Sequence, residues 1–184
     1  MRRALDTLYG AAMVGACLSM IAIAVLVFIQ VAGRVIDRGL VLLGLPRWGI
    51  AIPSLAEIGG FLFVAGATLA LGYTLRAAGH VRVTLLLRLV GPAANRFLTV
   101  LVLALAAGLA IFATWNIGLR TLDAQAMGRV SYGLIRIPLW IPQAVMTTGF
   151  AVFCIAILDE LWAALRGAPA FRAEEMRRES EGAE

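Results

Sequence analysis

The sequence predicts an all-α integral membrane protein: four transmembrane helices joined by short interfacial amphipathic segments. Three observations lead there. The chain of 184 residues is 61% apolar and only 15% charged, where globular domains hold roughly 45–50% and 25%. Its mean hydropathy is +0.91. Its charges are clumped, leaving Thr7–Gly33, Ile58–Leu75, Phe97–Leu119 and Ile137–Leu158 free of Asp, Glu, Lys and Arg. Each run is close to the ~20 residues that cross ~30 Å of hydrocarbon at 1.5 Å per residue.

These runs give spans of about 8–33, 56–76, 97–119 and 138–161 in one transmembrane domain, residues 1–166, followed by a charged tail, 167–184. The first apolar run is far longer than the 7–15 residues of a signal-peptide core, so a retained span is expected. Leu40–Pro53, broken by Gly44, Pro46, Gly49 and Pro53, is too interrupted to cross and should lie in the interface, with Trp48 as an anchor. After the second span, "HVRVTLLLRLV" sets Arg82 and Arg88 beside a Leu/Val face before Gly91 and Pro92 break it. That pattern suits a short helix along the headgroups. Trp140, between Pro138 and Pro142, is a further interfacial anchor at the start of the fourth span. The tail is dense in both signs of charge and is expected to be a solvated helix or disordered.

Every one of the 16 basic residues is an arginine, and the formal net charge is +5. The arginines flank membrane spans, so membrane lipids rather than nucleic acid are the expected partner. Four spans put Arg2, Arg3, Arg76, Arg82, Arg88, Arg96, Arg166, Arg172, Arg177 and Arg178 on one side. Arg34, Arg38, Arg47, Arg120, Arg129 and Arg136 fall on the other. The heavier side is expected to be cytoplasmic, with both termini there.

The chemical inventory is thin. One histidine, His80, cannot give bis-histidine haem ligation, and no His/Cys/Asp/Glu cluster suits a metal. No G-x-x-x-x-G-K-[ST] motif is present, and Ser54 and Ser131 lack a partnering base. Neither an enzyme nor a cofactor is expected. Cys17 and Cys154 read as small buried thiols, which could meet if the first and fourth spans pack together. Small residues at helix-packing spacing include Gly15 with Ser19, Gly66 with Ala70, and Ala104 with Gly108.

"LAEIGGFLFVAGATLALGYTLRAAGHVRV", Leu55–Val83, carries Glu57 and His80 at opposite ends of one span, about 35 Å apart along a helix. They cannot form an acid–base pair, and His80 is expected at the cytoplasmic interface. For Glu57 three roles stay open. It could form a clamp with Arg34 between adjacent helices, contact another subunit, or serve as a coupling-ion site.

Four spans, Arg34 closing the first, Glu57 opening the second, then "LGYTLRAAGHVRV" and the later "IRIPLW", resemble the small membrane subunit of the tripartite ATP-independent periplasmic (TRAP) transporters, the DctQ type. The resemblance covers roughly Leu8 to Arg166 and is most specific at Gly79–Val83. Thr84 departs from an acid frequent in the family, and Thr147-Thr148-Gly149-Phe150 replaces a frequent Pro-x-Gly-Phe. The resemblance implies a multi-pass protein of the bacterial inner membrane. Its partners would be a large Na⁺-coupled elevator subunit and a periplasmic substrate-binding protein that delivers an organic acid. The small subunit would be a fixed, non-catalytic scaffold. Two other readings remain: the membrane anchor of a respiratory or redox complex, and an autonomous small transporter working through Glu57.

Overall fold

The computed structural model describes residues 2–76 and 92–166. Four helices account for nearly all of them: α1 (Arg2–Leu42), α2 (Leu55–Arg76), α3 (Pro92–Ala126) and α4 (Trp140–Leu165). All four are long and apolar enough to cross a membrane. The stretch carrying His80, Arg82 and Arg88, expected from sequence to be interfacial, and the charged tail lie outside the described residues.

Local sequence sets where each helix stops. The chain after α1 turns at Gly44, whose φ is +71°, and after α3 at Gly128, whose φ is +57°. At the first end Leu45 N–H donates to Leu40 O (2.9 Å) and Gly44 N–H to Val41 O. At the second, Arg129 N–H donates to Ala124 O (3.0 Å) and Gly128 N–H to Gln125 O. Both are Schellman closures, in which a left-handed residue satisfies the last carbonyls at the lowest steric cost when it is glycine. Consequently α1 and α3 run well beyond the charge-free stretches 8–33 and 97–119. α3 opens on Pro92, and α4 carries Pro142 in its first turn. A missing N–H costs nothing there, because first-turn donors have no partner within the helix.

The helices form a row in the order α1–α2–α4–α3, with α1–α2 and α3–α4 antiparallel and the central pair α2–α4 parallel. α2 packs on α1 and on α4, α3 packs on α4, and α1 barely touches α4. Small residues allow these approaches. A Cβ on Gly66 would strike the methyl of Met20, and one on Gly15 would lie 3.3 Å from Leu69, so both glycines sit in the α1–α2 seam. On the other face of α2, a Cβ on Gly149 would lie 2.7 Å from the Thr68 backbone, and one on Gly72 2.9 Å from Val152. Gly108, by contrast, has open space around it among the described residues; Ala107, Ala110 and Ala124 are buried small residues of α3.

The core is half alanine and lies toward the end where α1 begins: Tyr9, Ala12, Leu75, Leu103, Ala107, Ala110, Val152, Ala156, Ile157 and Ala164. Large apolar side chains instead face outward. Phe28 on α1 is 73% exposed and Leu109 on α3 is 70% exposed, with Val14, Leu18, Ile21, Val102, Leu105 and Phe112 beside them. In water such faces would drive aggregation; in hydrocarbon they are the natural solution. The chain is a multi-pass membrane protein.

Candidate functional site: two polar ends and the Glu57 junction

The two ends of the helix row differ in how they are tied. At the end where α1 starts, the Arg76 guanidinium donates to Asp6 Oδ1 at 2.6 Å and stacks over the Tyr9 ring, 5.1 Å from its centroid. Tyr9 is 2% exposed, and its hydroxyl has no hydrogen-bond partner among the described residues. Arg96 at the start of α3 donates to Leu165 O at the end of α4, 2.9 Å away. Thus the start of α1, the end of α2, the start of α3 and the end of α4 share one end of the molecule.

At the opposite end the first loop is stitched back onto α1. Gln30 Oε1 accepts Ile52 N–H (2.7 Å), and Asp37 Oδ1 accepts the N–H groups of Trp48 (2.9 Å) and Gly49 (3.2 Å). Gly33 packs directly under Ile50. The ring of Trp48 stays exposed, while its backbone is fixed. The second loop folds on itself as well. Ser131 N–H donates to Ile137 O (2.8 Å) and Leu139 N–H to Arg129 O (3.0 Å), forming a small antiparallel closure with a bridge between Val130 and Pro138. Ser131 Oγ also donates to Ile135 O and accepts Ile137 N–H.

Glu57 sits where these two loops meet. Ser54, with φ +57°, turns the chain into α2, and its carbonyl accepts Glu57 N–H and Ile58 N–H at 3.0 Å each. A non-glycine residue in that region is uncommon and marks a position fixed by its surroundings. Here Ser54 Oγ accepts Ile135 N–H from the second loop at 3.1 Å. Gly133 of the same loop lies directly over Glu57 Oε2 and Ser54 Oγ, leaving no room for a Cβ. Glu57 Oε2 is buried and makes no hydrogen bond among the described residues.

The Arg34–Glu57 clamp is therefore not formed. Glu57 turns toward the second loop, in the first turn of α2, where the partial positive charge of the helix amino end favours a carboxylate. Arg34 is exposed on α1 and lines a cleft with Asp37, Arg38, Val41, Leu42 and Arg47. Asp6 and Arg76 form an ion pair that sequence reading had not singled out. Ser54 and Gly133 were also missed as partners of Glu57. They lie in different loops, and no short motif links them.

Trp140 opens α4 and is partly exposed. Both cysteines are free thiols. Cys17 is exposed on α1, whereas Cys154 lines an apolar groove of about 620 Å³ between α3 and α4, so the two do not meet. That groove is crossed by a hydrogen bond between the Thr121 and Thr147 hydroxyls, 3.1 Å apart. Thr147 belongs to the segment that departs from the family pattern.

No curated protein and no solved structure matches the chain. A family model does: tripartite ATP-independent periplasmic transporters, DctQ component, matched over residues 23–167. Those residues take in the end of α1, all of α2, α3 and α4, and the Glu57 junction, and the chain accordingly belongs to the DctQ family, the small membrane component of TRAP transporters.

Proposed function

We propose that the chain is a non-catalytic scaffold, a fixed wall against which a large Na⁺-coupled elevator subunit moves an organic acid delivered by a periplasmic binding protein. The supporting observation is the open row of helices, whose two end members, α1 and α3, keep broad apolar faces uncovered among the described residues. A helix hydrophobic on its outward side can meet lipid or another membrane subunit equally well, because both are apolar. The tied loops at the Glu57 end would hold those faces rigid.

In this reading the protein resides in the bacterial inner membrane with the Asp6–Arg76 end in the cytoplasm. The arginine distribution, ten against six, supports that orientation. Affinity capture of the tagged chain from solubilised membranes tests the proposal. A much larger multi-span subunit should be retained in stoichiometric amount, and recovery of the chain without such a partner would refute it.

A further inference from the structure

We propose that the cleft at the far end of α1 is a binding site for an anionic phospholipid, with Arg34, Arg38 and Arg47 on its phosphodiester group. Three arginines and one aspartate line a cavity of about 610 Å³, together with Val41 and Leu42. None of the three guanidinium groups has a carboxylate partner among the described residues. The single acid is already engaged, since Asp37 Oδ1 accepts two backbone N–H groups from the returning loop. The cleft thus presents a net positive charge, three arginines against one aspartate, on a framework fixed by hydrogen bonds.

Its depth fits a headgroup. Asp6 pairs with Arg76 at one end of the α1–α2 seam, and Gln30 holds Ile52 at the other. The stretch from Asp6 to Gln30 covers about 36 Å at 1.5 Å per residue, slightly more than the hydrocarbon core. Arg34 lies one turn beyond Gln30 and Arg38 one turn further, at the level of phosphates rather than of acyl chains or bulk water. Two turns before Arg34 and Arg38 on the same face of α1, Val27 and Val31 expose an apolar track, and Leu42, which lines the cleft, is 87% exposed. Cationic groups above a continuous apolar surface match a ligand that is anionic at one end and hydrocarbon at the other. A soluble anion would leave the track unused. A planar guanidinium suits phosphate oxygens through paired hydrogen bonds.

The proposal stands on membrane residence alone and does not need the scaffold reading. Its test is native mass spectrometry of the purified full chain from nanodiscs of phosphatidylcholine with a minor fraction of phosphatidylglycerol. The chain should retain phosphatidylglycerol preferentially. The triple variant Arg34→Gln/Arg38→Gln/Arg47→Gln should lower that retention about tenfold, while the Lys triple at the same positions keeps most of it. The control triple Arg120→Gln/Arg129→Gln/Arg136→Gln removes equal charge from the same end and should leave retention unchanged. Helical circular dichroism verifies that each variant is folded; if the glutamine triple unfolds, the single variant Arg38→Gln should still reduce retention severalfold. Three results would overturn the site: equal loss in both glutamine triples, no preference over phosphatidylcholine, or displacement of the lipid by millimolar inorganic phosphate. Unchanged lipid retention with lost capture of the large subunit would instead make the cleft a protein contact.

Discussion

Glu57 shows how little of a polar residue's role lies in its own identity. Its place at the start of an apolar run was plain, and Arg34 looked like its natural counter-charge. The structure sets a glycine of the second loop over the carboxylate instead, and places Arg34 in a separate cleft. Gly133→Ala should accordingly force Glu57 and Ser54 apart and cost about 1–3 kcal/mol, in the range of overpacking, read as a lowered thermal unfolding midpoint in detergent. Glu57→Gln keeps the shape of the side chain and should lower stability by less than about 1 kcal/mol, the value of one charge at a helix end. In the assembled transporter it should weaken subunit assembly at most, whereas loss of transport with assembly intact would show that Glu57 handles an ion. Asp6→Asn addresses the opposite end. Its carboxylate is 60% exposed and Arg76 28% exposed, so this half-solvated pair should be worth no more than about 1 kcal/mol. A double-mutant cycle with Arg76→Gln measures it.

Among the helices, membrane-crossing stretches were legible because charge is expensive in hydrocarbon, and four uncharged runs declare themselves. Helix ends were not legible from charge. Arg34 and Arg38 lie inside α1, whose stop is written at Gly44 by backbone geometry rather than by solvation. The packing seams were half visible. Gly15, Ser19 and Gly66 do meet across α1 and α2, while Gly108, just as plausible by spacing, faces open space. Spacing places residues on a face but does not say which face has a neighbour. The contrast is measurable: Gly149→Ala must move the Thr68 backbone and should cost about 1–3 kcal/mol. Gly108→Ala should stabilise by up to about 1 kcal/mol through helix propensity. Thr121→Val removes the interhelical hydroxyl contact to Thr147 and should cost about 0.6 kcal/mol.

For the whole molecule, the order α1–α2–α4–α3 matters more than any one contact. A closed bundle would hide its apolar stripes at the centre; here an alanine-rich core spends little side-chain volume inside and leaves bulky residues exposed on all four helices, most of them on the two end helices. Such an object is a panel, and in the scaffold reading its exposed apolar faces are where neighbours would bind. The reading that it forms a passive wall is most directly tested by solute uptake into proteoliposomes containing this chain alone, the large subunit alone, or both, each supplied with binding protein and a Na⁺ gradient. The account predicts organic-acid uptake only when both membrane subunits are present. Uptake by this chain alone would contradict it.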